Sequence, residues 1–373
     1  MEKAQLIHQF ECPISPYVHR MDMPQLVILS LRTLLTLGSS GLYNHWKQSA
    51  QKNEAPIQKH LLGFNSDGQY LSSDYNTIHH LIYHLDSLLI GELKRYCLDA
   101  IILADLLDQF TAFFQVNADV ARDELKDYGT SLLFLHIMNL PFNAHAINEF
   151  HLPPNPDPED IRSAVAKDIG AGAFSLLSMF NHSCDANVTR VTLPHGVTAI
   201  VTIRSLKKGE QLLDNYGAHY AMQSKAMRQK HLKKHYSFTC LCIACKHEWP
   251  AIDEGLMDSS TRFACAKCMK NVPFHDKLKS QYRKCVFIGN NWCCEKCSAQ
   301  CEKKAIQEEM QEYEEKCSSG YDLVLNNKPL ESIPVLVDVT QFFENNAIPP
   351  VFTLNIAQES LKQAFNLLTI GME

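Results

Sequence analysis

Two stretches of the sequence are the most informative about the fold. They are Asn-His-Ser-Cys-Asp-Ala-Asn at residues 181–187 and Gly-Glu-Gln-Leu-Leu-Asp-Asn-Tyr-Gly at residues 209–217. By itself, the first stretch is typical of a polar turn that opens a strand, and the second of a turn, a strand and a stop. An isolated Asn-His pair usually has a structural role. Here both stretches precede a Cys-x-Cys-x2-Cys cluster at residues 240–245. The two stretches followed by this cysteine cluster are found together far more rarely than any one of them alone.

The cluster of Cys240, Cys242 and Cys245 predicts a metal site. Three thiols so close in sequence cannot sensibly pair with one another as disulfides. They can all point at one tetrahedral ion, with Zn–S distances of about 2.3 Å. A fourth ligand has to come from elsewhere in the chain. The alternative interpretation is three buried cysteines without a metal.

A second group of cysteines follows as two Cys-x2-Cys pairs, Cys265 with Cys268 and Cys294 with Cys297. This spacing is typical of a zinc ribbon. Four thiolates close the coordination shell and leave no position for a catalytic water, so we expect a structural role. The ligand set stays open at this point, because three further cysteines lie nearby: Cys285, Cys293 and Cys301.

The overall composition excludes few classes of protein. The chain has 373 residues, of which 46% are hydrophobic and 20% charged, and this predicts a globular protein of two or three structural units. Its formal net charge of −6 argues against a dedicated nucleic-acid binder and leaves room for a basic protein substrate, such as a lysine-rich tail. We interpret the basic run Lys225–Lys234 as a solvated helix face.

The 14 cysteines and the N-terminus indicate the compartment. No apolar segment typical of a secretory signal follows Met1. The longest apolar run, Leu26–Leu37, is interrupted by Arg32 and is shorter than the roughly 20 residues that span a bilayer. We therefore expect a reduced, intracellular protein, in which clustered cysteines indicate a metal before a disulfide.

Apolar spacing predicts helices over residues 22–139, including Tyr75–Leu89, Leu98–Phe114 and Leu132–Met138, the last of them stopped by Pro141. Residues 152–160 are expected to form an exposed, proline-rich loop. The β-branched runs after it predict a hairpin, with strands at Val188–Leu193 and Val197–Ile203 and a further short strand at Gln211–Leu213. A helix is predicted at Met222–His235, before the cysteine region. From Lys303 onward, antiparallel helix pairs are predicted, with helices at Gln307–Cys317, Ile333–Phe343 and Thr353–Leu368.

In this order the motifs resemble those of the SET-domain methyltransferases, and within them the SET and MYND domain family, most of all its member-4 branch. Asn-Ala-His-Ala-Ile at residues 143–147 resembles the family's cofactor-contacting strand, and Gly-Ala-Gly-Ala-Phe at residues 170–174 its approach to the Asn-His motif. His8 and Cys12 resemble the last two zinc ligands of a MYND finger. The resemblance covers nearly the whole chain.

The resemblance implies an α+β fold with a β-rich SET core, a large helical insertion, a zinc-binding post-SET segment and a helical C-terminal region. The implied domains are a MYND remnant at 1–12, the insertion at 13–140, the SET core at 141–236, the post-SET segment at 237–247 and a helical, tetratricopeptide-like region at 303–373. The cysteine spacing adds a zinc-ribbon-like cluster at 248–302.

The resemblance also implies an S-adenosylmethionine-dependent protein-lysine N-methyltransferase that acts on a histone or non-histone lysine. Tyr216 and Tyr236 would be the catalytic residues that line the lysine channel. The cofactor would be bound by Asn143, Asn181, His182, Tyr216 and Phe238, of which Phe238 stacks on the adenine. Cys184 would join Cys240, Cys242 and Cys245 on the post-SET zinc. Independently of the resemblance, the spacing of the two Cys-x2-Cys pairs predicts that Cys265, Cys268, Cys294 and Cys297 hold a second zinc.

The sequence departs from the family at its start. Family members begin with a Gly-x-Gly strand and six further MYND ligands, and neither precedes His8 here. We therefore expect a truncated form in which two ligands alone hold no MYND zinc. The alternative function is a catalytically inactive, zinc-stabilised interaction module in transcriptional regulation. We expect a monomer in nucleus and cytoplasm with a protein substrate and chromatin or chaperone partners, but without direct nucleic-acid or membrane binding.

Overall fold

The structure is a computed structural model, and it describes residues 2–51, 63–72, 74–85, 88–116, 120–157, 160, 164–257, 261–287, 293–300 and 302–369. The chain divides into two compact units. The first comprises Met1–Ala146 and Gly170–Met179, and the second comprises Ile147–Ile169 and Phe180–Glu373. Helices and sheets are mixed, which confirms the predicted α+β class. The described sheets are small, with two or three strands each.

The first unit is mainly helical. Its helices are α1 (Glu2–Glu11), α2 (Ser15–Arg20), α3 (Gln25–Leu35), α4 (Gly38–Gln51), α5 (Asn76–His79), α6 (Ile90–Phe110) and α7 (Arg122–Asn143). Helices α3, α6 and α7 contribute most of a fully buried apolar core that contains Leu31, Leu34, Leu103, Leu107, Leu125 and Leu133. In α3 the buried Ser30 and Thr33 donate their hydroxyls to carbonyls one turn earlier, so burial leaves neither hydroxyl unpaired.

The predicted helix over Tyr75–Leu89 is wrong for most of its described length, because only α5 is helical there. The side-chain amide of Asn139 donates to the Ile78 carbonyl at 3.1 Å, and that of Asn143 donates to the Ile82 carbonyl at 2.7 Å. The Ile82 carbonyl thus bonds to α7, whereas the Ile78 carbonyl also accepts from the Leu81 amide at 3.1 Å, in a turn that does not continue as a helix. Residues 86 and 87 lie outside the described part of the chain.

The predicted stop at Pro141 is also wrong, since α7 continues to Asn143. A proline removes one backbone donor from a helix and disfavours its interior. Here it lies in the last turn, beside the fully buried Leu140, and the packing outweighs the lost hydrogen bond. Asn143 is therefore the last residue of a helix and not part of the strand that follows it.

Among the described residues, no single helix is long and apolar enough to cross a membrane. Helices α3 and α4 meet that criterion only as a pair, by length and composition, and the pair is bent by 82°.

The strands are short. Strand β1 (Ala144–His151) pairs with β2 (Val165–Ala173), and β3 (Asn181–His182) pairs with β6 (Leu213–Asp214). The predicted hairpin is confirmed as β4 (Val188–Leu193) and β5 (Val197–Thr202), which are antiparallel with Val188 opposite Thr202. A three-stranded sheet places β7 (Arg262–Ala264) between β8 (Val286–Phe287) and β9 (Ala347–Ile348).

The second unit also contains α8 (Lys225–Tyr236), α9 (Ile243–Lys246), α10 (Lys303–Leu325), α11 (Pro329–Asn346) and α12 (Phe352–Leu367). The predicted C-terminal helices are confirmed, and α10 and α11 are longer than predicted. Tyr313 stacks on Phe342 at 3.8 Å between ring centroids, and the Ser332 hydroxyl donates to the Gly320 carbonyl at 2.7 Å. Contacts that progress in opposite directions along the two helices make α10 and α11 an antiparallel pair.

Gly320 permits the close approach of α10 to α11. A Cβ atom at this position would lie 2.7 Å from Leu336 Cδ2 and 2.9 Å from its Cγ. Leu336 is fully buried and has no space to move away. Glycine is therefore retained in a helix interior despite its low helix propensity, which costs about 1 kcal/mol relative to alanine.

We expect Gly320→Ala to lower the free energy of unfolding by roughly 1–2 kcal/mol, because overpacking at Leu336 outweighs the gain in helix propensity. Gly91→Ala is the matched control, since α6 leaves open space around Gly91. The control should be neutral or stabilising. Denaturant titration followed by circular dichroism measures both variants, and equal behaviour would contradict the close packing of α10 on α11.

Candidate active site and metal centres

The two sequence motifs meet through a parallel strand pair. Asn181 lies opposite Leu213, and His182 lies opposite Asp214. The pairing extends past β3, because the Ser183 amide donates to the Asp214 carbonyl at 2.9 Å and the Asn187 amide donates to the Leu213 carbonyl at 3.1 Å. Segments about thirty residues apart are thus held side by side, as in a crossover connection.

Asn187 closes this arrangement and is fully buried. Its side-chain oxygen accepts from the Leu213 amide at 2.7 Å, and its side-chain NH2 donates to the Gln211 carbonyl at 2.9 Å. Its backbone carbonyl accepts from the Ile203 amide at 3.1 Å. One asparagine therefore ties the end of β5 to the entrance of β6. The sequence prediction missed this residue, although it quoted it as the last position of the first motif.

His182 and Asn215 connect the motifs a second time. The Tyr216 amide donates to His182 Nδ1 at 3.1 Å, so this nitrogen is an acceptor and the ring is neutral. Burial lowers the pKa of His182 to about 4, which keeps the ring neutral at physiological pH. The Asn215 side chain donates to the carbonyls of Ser183 and Ala218. The backbone of the tyrosine motif is thereby fixed relative to the Asn-His motif.

An aromatic group forms around this connection. The rings of Tyr216 and Tyr236 are 4.8 Å apart between centroids, and His182 lies 5.3 Å from Tyr216 and 6.0 Å from Phe238. The Tyr216 hydroxyl donates to the Phe180 carbonyl. Burial raises the pKa of Tyr216 to about 12 and also raises that of Tyr236, so both hydroxyls are protonated at neutral pH. In the described part of the chain the Tyr236 hydroxyl has no hydrogen-bond partner.

The structure thus brings together Tyr216, Tyr236, His182 and Phe238 of the predicted site. Asn181 is exposed on the short strand β3, next to His182. Asn143 belongs to the first unit, where its side-chain NH2 donates to the Ile82 and Asn139 carbonyls, both at 2.7 Å. Its own carbonyl accepts from the Ser178 hydroxyl at 3.0 Å. These bonds give Asn143 a local structural role, and its cofactor role stays a prediction.

The first cysteine group fits a metal ion. The sulfur atoms of Cys184, Cys240, Cys242 and Cys245 all lie within 4.8 Å of one another. Four sulfurs at the Zn–S distance in a tetrahedron lie about 3.8 Å apart. Cys184 Sγ is 3.6 Å from Cys245 Sγ and 4.0 Å from Cys240 Sγ. Hydrogen bonds from Cys184, Cys240 and Cys245 lower the pKa of Cys242, so this sulfur is poised as a thiolate.

Helix α8 supports this cysteine group from one side. The Gln229 side chain both accepts from the Cys240 amide, at 3.0 Å, and donates to the Cys240 carbonyl, at 2.8 Å. Arg228 is fully buried, and its guanidinium donates to the carbonyls of Tyr220 and Gln223 and to Cys245 Sγ at 3.9 Å. A buried positive charge beside four thiolates offsets part of the negative charge that a bound Zn²⁺ leaves uncompensated.

The same helix reaches the aromatic group. His231 Nε2 lies 2.9 Å from the Tyr216 carbonyl, and Tyr236 is the last residue of the helix. The basic run in α8 was expected to be a solvated helix face, and neither Arg228 nor His231 fits that expectation, because Arg228 is buried and His231 contacts Tyr216. The only local signal was Leu232, four residues after Arg228, because residues at this spacing share one face of a helix.

The second cysteine group has the same geometry. Cys265 Sγ is 3.6 Å from Cys297 Sγ, and Cys268 Sγ is 3.8 Å from Cys294 Sγ. The structure thereby narrows the ligand choice that the spacing left open. Cys285 is buried nearby and its carbonyl accepts from the Cys265 amide, whereas Cys293 pairs through its backbone with Gln300. Cys301 lies outside the described residues.

A polar contact joins the second cysteine region to the first motif. His275 Nε2 lies 2.6 Å from Oδ2 of Asp185, the residue that follows Cys184 in the sequence. Two residues further, the buried Lys277 donates to the carbonyls of Glu344 and Asn345 at the end of α11 and of Ala347 at the start of β9. Segment 275–277 therefore connects the Asn-His motif to the C-terminal helices within the second unit.

The comparisons with known proteins agree with this geometry. Residues 43–217 match the SET domain, which contains both paired motifs. Human protein-lysine N-methyltransferase SMYD4 is 25% identical over 256 residues, covering 65% of this chain and 31% of that protein. Mouse SMYD4 is 24% identical over 331 residues, covering 85% of this chain and 38% of that protein. Mouse histone-lysine N-methyltransferase SMYD3 is 34% identical over 87 residues, covering 23% of this chain and 19% of that protein.

The match over residues 43–217 indicates the class of protein, because it places a SET domain in this chain. The SET-domain match and the relatives together support a SET and MYND-type protein-lysine methyltransferase family and confirm the resemblance stated from the motifs. The aligned part of the chain spans about a third of the length of the SMYD4 relatives.

Metal analysis tests both cysteine groups. We expect about two zinc ions per purified chain, one for each group of four thiols. Cys242→Ser and Cys268→Ser should each remove about one ion, and the double variant should remove both. The exposed Cys97 belongs to neither group, so Cys97→Ser is the control. Zinc contents that do not change with the group variants, measured by plasma mass spectrometry, would contradict the assignment.

Arg228→Met leaves two buried carbonyls without their donor, and we expect it to lower the free energy of unfolding by roughly 2–4 kcal/mol. It should also weaken zinc retention by the first cysteine group under chelator challenge, while the second group keeps its ion. Lys230→Met, at an exposed position of the same helix, should change stability by less than about 0.5 kcal/mol. Equal effects of the two substitutions would refute the buried role of Arg228.

Proposed function

We propose that this chain is an S-adenosylmethionine-dependent protein-lysine N-methyltransferase. The family supports a lysine methyltransferase in general. The observation that carries the proposal for this chain is the aromatic site itself. The parallel pairing of β3 with β6 brings His182 beside Tyr216, and Tyr236 and Phe238 lie against these two rings. The proposal includes the cofactor, a protein substrate and the individual residue roles.

The residues beside β3 fit the cofactor in part. Asn181 is exposed, and its side-chain amide has no partner among the described residues. Phe238 is half-buried and offers an aromatic face near His182. We assign Asn181, backbone groups of His182, and Phe238 to cofactor binding, with Phe238 on the adenine. When bound, S-adenosylmethionine supplies the electrophilic methyl group of a sulfonium ion.

Tyr216 and Tyr236 are assigned to the lysine channel. Methyl transfer needs a neutral amine that is aligned with the methyl group, so positioning supplies much of the rate acceleration. Two tyrosine rings attract the lysine ammonium through cation–π interaction and exclude water, and removal from water lowers the pKa of the amine. The Tyr236 hydroxyl, which is free in the described part of the chain, can orient the amine nitrogen. No side chain is assigned as a general base.

The two cysteine groups are assigned to structural zinc. Each offers four thiols, which close a tetrahedral shell and leave no position for a reactive water. The first ion would fix Cys184 relative to the segment that carries Phe238 and Cys240. It therefore holds the two sides of the aromatic site together without taking part in the chemistry.

The alternative function, a catalytically inactive interaction module, is not favoured by the relatives, whose names describe methyltransferases. The following parts of the interpretation stay predictions: the histone or non-histone nature of the substrate, chromatin or chaperone partners, the monomeric state, the lack of nucleic-acid binding, and a nuclear and cytoplasmic location.

Cofactor binding and methyl transfer test the proposal. We expect the chain to bind S-adenosylmethionine in calorimetry and to transfer radiolabelled methyl groups to lysine peptides. Tyr236→Phe removes the free hydroxyl and should lower kcat on the order of 10²-fold with cofactor affinity retained. Tyr17→Phe is the matched control, because Tyr17 stacks on Phe110 in the first unit. Absence of cofactor binding, or equal loss in both variants, would overturn the proposal.

A further inference from the structure

Helix α8 has an unusual charge composition for this protein. Its sequence, Lys-Ala-Met-Arg-Gln-Lys-His-Leu-Lys-Lys-His-Tyr, contains four lysines, one arginine and two histidines but no carboxylate. The whole chain carries a formal net charge of −6. Positive charge is therefore concentrated on one short element of an otherwise acidic protein.

The helix separates these charges by face. Arg228 and Leu232 are buried, whereas Lys230, Lys233 and Lys234 are exposed. The three exposed lysines are spaced three and four residues apart, which places them in one row on the helix surface. We name them the α8 lysine row. Lys225 forms an ion pair with Glu248 at 2.9 Å, but no ion pair to the row is found in the described part of the chain.

The α8 lysine row ends at the aromatic site. Lys233 lies three residues before Tyr236, which packs on Tyr216 at 4.8 Å. Between Lys230 and Lys233, His231 contacts the Tyr216 carbonyl at 2.9 Å. A peptide whose lysine enters between the two tyrosines therefore passes close to this row with its neighbouring residues.

Helix stability alone explains only part of the row. Basic residues in a last turn interact favourably with the helix dipole, and this accounts for Lys233, Lys234 and His235. It does not account for Lys230, which lies in the middle of the helix. The pKa of His235 is lowered by burial and then by the charges of His231 and Lys234. Positive groups are thus close enough to repel one another, and an anionic partner would relieve this repulsion.

We propose that the α8 lysine row is a docking surface for acidic residues that flank the target lysine of the protein substrate. The proposal rests on the proposed function and deepens it by naming the substrate class, a lysine with Asp or Glu nearby. This replaces the expectation of a basic, lysine-rich tail. Complementary charges at the rim of a site act mainly on selection among partners and on association rate. A nucleic acid is disfavoured by the formal net charge of −6.

The test measures binding of fluorescent lysine peptides that are identical except for acidic, neutral or basic flanking residues. We compare the wild type with the double variant Lys230→Glu/Lys234→Glu by fluorescence anisotropy. The control Lys304→Glu/Lys328→Glu changes the net charge equally on exposed positions of other segments. A second variant, Lys230→Arg/Lys234→Arg, keeps the charge. Circular dichroism checks that all variants fold.

We expect the wild type to bind the acidic peptide roughly three- to tenfold more tightly than the neutral one at low salt, as a few exposed ion pairs allow. This preference should shrink at high salt and vanish or reverse in the glutamate variant. The arginine variant and the control should keep it. Equal affinity for all peptides, equal loss in the control, or displacement of the acidic peptide by a single-stranded polynucleotide would overturn the proposal.

Parallel cofactor calorimetry and methyl-transfer assays separate the two proposals. Methyl transfer without any charge preference would overturn the docking surface and leave the proposed function supported. A charge preference that follows the α8 variants, in a chain that binds no S-adenosylmethionine, would overturn the proposed function while the docking surface stays supported.

Discussion

The parallel pairing of β3 with β6 is the constraint on which the rest of the site depends. Two residues of each strand, extended by the amides of Ser183 and Asn187, hold together segments that a hairpin separates. So short a ladder is not stable by itself. It persists because the buried Asn187 satisfies the adjacent backbone groups and because His182 and Asn215 fix the turn after β6.

Helix α8 connects the elements around that pairing. Its buried face holds the cysteine group through Gln229 and Arg228, and its end places Tyr236 against Tyr216. Its exposed face carries the lysine row. A single helix thus joins the metal centre, the aromatic site and the surface where a substrate would arrive. Any distortion of the cysteine group would be transmitted to the tyrosines through this rigid element.

The sequence predicted the members of the site better than their environment. Cysteines at ligand spacing and a β-branched hairpin are local signals, and the structure brings the expected thiols within 4.8 Å and forms the expected hairpin. The predicted helix over Tyr75–Leu89 was wrong beyond α5, where side-chain amides of α7 donate to the Ile78 and Ile82 carbonyls. Arg228, Asn187 and His231 were missed, since their partners are backbone groups that no sequence pattern reveals.

The sequence alone indicated the family, the cysteines at metal-ligand spacing and the aromatic residues of the candidate site, with the ligand set of the second cysteine group left open. These properties depend on residue type and spacing, which can be read directly from the sequence. The tertiary structure was needed to show that Asn143 ends a helix and bonds to its own last turn. It was also needed to show that Arg228 is buried beside Cys245 and that the α8 lysine row lies next to Tyr236. Each of these depends on which face of an element is covered and by which distant segment. Packing energy sets that choice, and local periodicity does not encode it.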